Sequence, residues 1–424
     1  MTSRRFQPVA LLLTLALYAA PIFAAEKLPV AVPEAVGLSG ERLDRLTQTM
    51  QQYVDNGQLS GSVVLVARHG QVAYFRAFGQ RDVEAKSPMA DDAIFRIASQ
   101  TKALVSTAIL MLQEEGKLLI SDPAGRYLPE FENTKVAVAK QGGGYDIVDA
   151  VRPITIRQLL THTSGSSYGH GPAADKWKAA GIQDWYFAHR DEPIRKTIAR
   201  LAALPFDAQP GEKYIYGYNT DILGAVVEAA SGQPLDVFLR TRIFEPLKMQ
   251  DTHFYLPNDK RNRLATVYSA KNGKIARAPT EGTMQSQGAY VDGPRKSFSG
   301  GAGLLSTATD YARFLQMMLN GGELDGTRLL SPKTVELMTT DHLQGLEFRP
   351  GQGFGLGFSV VKDLGERGLH GSVGEYGWGG AYHSTYWVDP AEDMVVVYFT
   401  QLLPAGGLDD HGKLRALIYQ AIVD

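Results

Sequence analysis

Apolar residues follow two rhythms along this chain. The segments Ser62-Val-Val-Leu-Val-Ala-Arg68 and Gln71-Val-Ala-Tyr-Phe-Arg-Ala-Phe78 are short and β-rich, and His69-Gly70 between them has turn chemistry. Together they predict a hairpin. Ahead of it, 43–54 carries helical spacing and stops near Gly57. Strand character returns only near the C-terminus, at 354–361, 380–388 and 394–400, with the turn Asp389-Pro-Ala-Glu-Asp393 before the last of these. A final helix is expected over 412–423.

Between these ends, apolar residues recur at helical spacing in 103–112, 154–160, 194–204, 221–230 and 308–319. Gly142-Gly-Gly144, Gly171-Pro172 and Pro210-Gly211 punctuate the joins. The pattern predicts an α/β (α+β) fold, in which one antiparallel sheet is flanked by the terminal helices and interrupted by a mostly helical inserted domain. The sheet domain would be discontinuous, 26–94 plus 290–424, and the helical domain would span 95–289. No tandem repeat or low-complexity tract is present.

Residues 1–25 fit neither rhythm. Arg4 and Arg5 precede an apolar run over 9–20, which stops at Pro21, and small residues follow at Ala24-Ala25. This reads as a cleaved export signal. The run is well short of the roughly 20 residues that span a bilayer, so an exported, periplasmic or secreted chain without a stable membrane anchor is expected. With 424 residues, 44% of them hydrophobic, the chain can bury a core large enough to dispense with disulfides, and it has 0 cysteines. Thiol catalysis and cysteine-ligated zinc are thereby excluded. A formal net charge of −2 offers no basic excess for a phosphate backbone, so nucleic acid is not an expected partner. Oligomeric state has no signature in the pattern.

Candidate chemistry begins at Phe95-Arg-Ile-Ala-Ser99-Gln-Thr-Lys102, followed by the apolar run 103–110. A serine at a helix start with lysine three positions on puts both side chains on one face of the first turn. Apolar residues nearly all round that helix mark it as buried. Burial favours the neutral form of a lysine, which then accepts a proton, and the helix dipole favours a developing alkoxide. A hydroxyl becomes a useful nucleophile in this way. Taken alone, the motif is short enough to be an N-cap followed by a surface-seeking lysine. A second copy, Ser359-Val-Val-Lys362, lies in a strand-like stretch, where positions three apart face opposite sides.

Several further stretches stand in a recognisable order: Glu115-Gly-Lys-Leu118, Asp122-Pro123, Tyr127-Leu-Pro-Glu-Phe131, Leu159-Leu-Thr-His-Thr-Ser-Gly165, Phe244-Glu-Pro-Leu247 and Ser299-Gly-Gly-Ala-Gly-Leu-Leu-Ser306. With 95–102 they resemble the serine β-lactamase and penicillin-binding protein superfamily, closest to class C enzymes and their esterase branch. The resemblance runs from about Val36 to the C-terminus. It implies a β-lactamase/transpeptidase-like fold, Ser99 as nucleophile and Lys102 as its partner in proton relay. No cofactor and no metal are expected.

By the same resemblance, 210–224 holds the place of a Tyr-x-Asn motif. Counting back from Leu223-Gly224 puts Tyr216 at the proton-relay tyrosine, where a neighbouring cationic lysine would lower its pKa. The asparagine position falls on Tyr218, a candidate substitute ligand, while Asn219 lies one residue late. An alternating strand face of Tyr214, Tyr216 and Tyr218 is the plainer alternative. Tyr376-Gly-Trp378-Gly-Gly-Ala381 resembles the Trp-Gly-Gly of esterases where β-lactamases carry Lys-Thr-Gly. Trp378, Gly379 and Gly380 are then substrate-binding, and the N–H groups of Ser99 and Ala381 form the oxyanion hole. A glycine-rich bulge with Trp378 as packing is the bland alternative. Tryptophan in place of a cation favours neutral ester substrates over carboxylate-bearing β-lactams or peptides.

Gly165-Ser-Ser167-Tyr-Gly169 matches a nucleophile elbow, but no strand precedes it and no helix follows. His162, His170, His370 and His383 show no zincin spacing, although His370 and His383 could line the pocket. The expectation is a serine hydrolase for small-molecule carboxylic esters, with a β-lactamase or D-Ala-D-Ala peptidase as the alternative.

Overall fold

The computed structural model of the protein describes residues 27–271, 273–282 and 284–424, so the export segment expected at 1–25 lies outside it. An eight-stranded antiparallel sheet forms the centre. Its order is Gln352–Phe354, Ser359–Val361, Tyr376–Gly380, Ser384–Asp389, Met394–Phe399, Gly61–Arg68, Gln71–Asp82 and Ser87–Pro88. The N-terminal hairpin and the C-terminal strands thus share one sheet, joined where Gly61–Arg68 pairs with Met394–Phe399.

Both faces of this sheet are covered. Val63, Leu65 and Ala67 enter the large core, while Val64 and Val66 meet Leu43, Leu46, Met50, Leu414 and Ile418 on the other side. Every residue of Gly61–Arg68 is therefore buried, which explains an unbroken apolar run where a half-exposed strand would alternate. The helices Gly40–Asp55 and Asp410–Tyr419 pack together on that second face. Ser39 caps the first, accepting the Arg42 N–H at 3.3 Å.

On the first face, Ala308–Leu319 lies against Met394–Phe399 and Gly61–Arg68. Beyond it, helix Thr101–Glu114 packs on Asn219–Ser231, and its residues from Thr101 to Leu112 are all buried. No single described helix is long and apolar enough to cross a membrane.

The structure departs from the expected pattern in three places. Instead of one strand over 380–388 there are two, Tyr376–Gly380 and Ser384–Asp389, with Trp378 opposite Tyr386 and Gly380 opposite Ser384. The reversal uses His383 at φ +64°, whose N–H closes the turn on Gly380 O at 3.1 Å. Likewise 354–361 divides into Gln352–Phe354 and Ser359–Val361 around Gly357 at φ +101°. Such turns need a left-handed backbone, which apolar spacing does not encode. The mostly helical middle also carries two hairpins, Lys135–Ala139 with Tyr145–Asp149 and Tyr268–Lys271 with Lys274–Arg277. The first turns at Gly142, Gly143 and Gly144, all at positive φ.

Candidate active site

The short strand Phe95–Arg96 pairs with Leu305–Ser306, and a 3-10 turn, Ala98–Gln100, then feeds helix Thr101–Glu114. Ala98 is fully buried at φ +43°, a conformation that costs an alanine about 1–3 kcal/mol. This turn brings Ser99 to the wall of a cleft, while Lys102, one turn on, is only 2% exposed. The Lys102 ammonium has three donors, and it spends them on Ser99 Oγ at 3.3 Å, Tyr168 Oη at 3.2 Å and Gly301 O at 2.7 Å. Gly301 is held in turn by buried Asp221, which accepts the Gly301 N–H at 3.0 Å and the Ser299 hydroxyl at 2.6 Å. Burial pushes the Asp221 carboxyl up, opposed by the Ser299 bond and the Lys102 charge.

Tyr214, Tyr216 and Tyr218 lie in a loop rather than on a strand, and they diverge. The Lys102 ammonium sits 4.6 Å from the Tyr216 ring centroid. The Tyr216 oxygen accepts the Trp378 indole N–H at 3.1 Å. Because an indole only donates, the Tyr216 oxygen keeps its remaining hydrogen-bonding capacity for the cleft.

Tyr218 turns the other way, which corrects its assignment as a substrate ligand. It is 0% exposed, donates to Asp184 O at 2.7 Å, and stacks between Trp177 and Phe187 with centroids 5.7 and 5.6 Å away. A ring walled in on both faces presents nothing to substrate. Asn219 does not take its place: its buried amide bonds Ser164, His162 Nδ1 at 2.9 Å and Ser166 O at 3.2 Å.

The phenol that reaches the lysine is that of Tyr168, from the very stretch that mimics a nucleophile elbow. Nothing local links 168 to 102, so sequence spacing could not have found it. Burial pushes the Tyr168 phenol well above 10, keeping it protonated. Ser167 beside it accepts the Gly169 N–H at 3.0 Å and bonds the Asp207 carboxylate. The second Ser-x-x-Lys is split across its strand: Ser359 donates to Gly377 O at 2.9 Å, and Lys362 pairs with Asp341 at 2.7 Å.

The opposite wall of the cleft, whose volume is about 580 Å³, is Trp378, Gly379, Gly380 and Ala381. Trp378 meets the Tyr216 ring at 5.4 Å and, edge to face, Phe354 at 5.3 Å. A Cβ built on Gly380 would stand 2.5 Å from Ile97 O, so glycine is what lets this strand end touch the nucleophile turn. Ala381 follows at once, inside the turn closed by His383, and borders the cleft together with Ser99.

His383 lines the cleft as well, whereas His370 stacks on Tyr419. His383 Nε2 pairs with buried Asp410 at 2.7 Å, and Tyr398 holds the other Asp410 oxygen at 2.7 Å. His383, Asp410 and His411 form the one group of three among the described residues whose ligand atoms, all within 4.8 Å, could hold a metal. Here they latch the turn after Ala381 to the last helix. His162 lies behind Tyr216, its pKa pushed well below 6.5 by burial and then by the Lys102 charge, and it is neutral.

The family model Beta-lactamase matches residues 46–420. Esterase EstB of Burkholderia gladioli is 33% identical over 383 residues, 87% of this chain and 93% of that protein. Lovastatin esterase of Penicillium rubens is 29% identical over 397 residues, 85% of this chain and 93% of that protein. Among solved structures, EstCE1, a hydrolase with promiscuous acyltransferase activity, matches with a TM-score of 0.76 at 29% identity, covering 89% of this chain and 98% of that one.

Proposed function

The chain belongs to the serine β-lactamase and penicillin-binding protein superfamily, within its esterase branch, and on that footing we propose that it hydrolyses carboxylic esters through an acyl-enzyme on Ser99. The observation that carries this reading is the Ser99 Oγ to Lys102 Nζ contact at 3.3 Å, in a cleft walled by Trp378. Ser99 Oγ attacks the ester carbonyl carbon, and its proton is taken up by the Lys102–Tyr216 pair, which in the reactive form holds one proton fewer than an ammonium plus a phenol. The carbonyl oxygen, now carrying the negative charge, is received by the backbone N–H groups of Ser99 and Ala381. Collapse breaks the bond to the alcohol oxygen, which leaves with the relayed proton. Water then attacks the acyl carbon, gives its proton to Tyr216, and Ser99 departs reprotonated with release of the acid.

Each group outside the relay has a job in this scheme. Tyr168 and Gly301 O fix the ammonium, and Trp378 fixes the Tyr216 oxygen. The aromatic wall gives a neutral acyl or alcohol group an apolar face.

Ser99→Ala should abolish turnover of a short-chain 4-nitrophenyl ester, and a fluorophosphonate probe should label the parent protein but not the variant. A chromogenic cephalosporin run alongside tests the β-lactamase alternative. Fast lactam turnover with no ester cleavage, or ester cleavage surviving in Ser99→Ala, refutes the proposal.

A further inference from the structure

The strand that carries Trp378 offers no cation of its own, yet the cleft is not without one. Three arginines and one glutamate line it: Arg349, Arg367, Arg415 and Glu375. Two of the arginines are committed, Arg367 to Glu375 at 2.8 Å and Arg415 to the same carboxylate at 2.6 Å. Arg349 is not. Among the described residues it has no ion pair and no side-chain hydrogen bond; its contacts are aromatic. The guanidinium carbon lies 4.9 Å from the Trp378 ring centroid and 5.3 Å from that of Phe348. An arginine carried on aromatic rings keeps its N–H edge for an oxyanion, and the fork geometry suits a carboxylate.

Its position matters as much as its charge. Contacts run unbroken from Ser99 to Lys102, from Lys102 to the Tyr216 ring, from the Tyr216 oxygen to the Trp378 indole, and from that indole to Arg349. The free cation thus rests on the tryptophan that also touches Tyr216, and both border the cleft that holds Ser99. Resting on the ester-hydrolase reading above, we propose that Arg349 is a specificity-determining residue that selects esters carrying a second, ionised carboxyl group a few bonds from the reacting carbonyl. Trp378 packs on the uncharged part of such a substrate, and the guanidinium takes its charged end.

The test compares matched ester pairs in the parent protein and in Arg349→Gln. In the acyl arm, 4-nitrophenyl hydrogen adipate is set against 4-nitrophenyl hexanoate. In the alcohol arm, 3-carboxyphenyl butyrate is set against phenyl butyrate. The readout is the ratio of kcat/KM for the charged ester over the neutral one. Arg349→Gln should lower that ratio about 10-fold in one arm, the weight of one charge-assisted hydrogen bond. The arm that responds locates the carboxylate, and Arg349→Lys should recover part of the ratio. Lost packing on Trp378 alone would slow both esters of a pair together and leave the ratio where it was. An unchanged ratio in both arms overturns the proposal. Adipate binding to the Ser99→Ala protein, followed by calorimetry with and without Arg349→Gln, reports on the arginine independently of turnover. If no ester is cleaved the hydrolase reading fails, and equal adipate binding in the two proteins then overturns this inference too.

Discussion

Adding one methyl group at Gly380 probes how the site is assembled. The backbone there is in an ordinary region, so Gly380→Ala carries no conformational penalty of the left-handed kind. The obstacle is steric. The new Cβ would stand 2.5 Å from Ile97 O, about 1 Å short of a comfortable contact. Ile97 O belongs to the backbone leading into Ala98 and Ser99, and it cannot rotate out of the way as a side-chain tip would. Either the end of Tyr376–Gly380 or the nucleophile turn must retreat by that distance, and Ala381 moves with the strand.

A displacement of about 1 Å between nucleophile and oxyanion donor costs roughly 100-fold in rate, and full loss of one donor costs about 100- to 1000-fold. Steady-state kinetics on a 4-nitrophenyl ester should therefore show kcat down by about two orders of magnitude. KM should change far less, because the Trp378 side chain, two residues back and opposite Tyr386, is not the group that clashes. Urea unfolding should show a loss of about 1–3 kcal/mol, the usual cost of overpacking. A folded Gly380→Ala protein with kcat within about 3-fold of its parent would refute the claim that this contact sets the oxyanion geometry.

Two more predictions test the assignments around the cleft and the electrostatics beneath it. Tyr216→Phe should lower kcat by about 100-fold or more. Tyr218→Phe, whose hydroxyl meets only Asp184 O, should leave kcat near the parent's and cost about 1 kcal/mol in urea unfolding; the reverse ranking would restore Tyr218 to the site. Asp310 is buried, and its carboxyl is pushed up from 3.8 to about 7 by burial and then by the Asp251 charge. Between pH 4 and 7 the unfolded chain ionises there while the folded one keeps its proton, so stability falls across that window and stays reduced above it. A rise of about 3 pH units has a ceiling of about 4 kcal/mol, and relaxation should leave about 2 kcal/mol. Asp310→Asn keeps a carbonyl for the Asp251 N–H and the Thr252 hydroxyl, so it should match the parent near pH 4 and exceed it by about that margin at pH 8. Parallel urea curves at both pH values would contradict this.

The amino-acid sequence alone determined what depends on neighbours along the chain. Apolar spacing marked 62–68, 71–78, 103–112, 221–230 and 308–319, which lie within the hairpin Gly61–Arg68 with Gln71–Asp82 and the helices Thr101–Glu114, Asn219–Ser231 and Ala308–Leu319, because a buried face repeats with the period of its element. The approach of Lys102 to Ser99 is of the same kind, since three positions in a first helical turn share a face. Left-handed residues escaped this reading, and the reversal at His383 went unseen for that reason.

Only the tertiary structure decided what else surrounds that pair. Tyr216 and Tyr218 are two positions apart in one loop, and what separates them is long-range: the slot between Trp177 and Phe187 claims the second ring and leaves the first to Lys102 and Trp378. Tyr168 and Gly301 reach the ammonium from distant segments, and Arg349 comes to rest on Trp378 from a loop that no motif marks. Local propensity specifies which face a side chain occupies on its own element. Which faces meet is settled by packing the whole core at once, and a catalytic cleft is made where those faces meet.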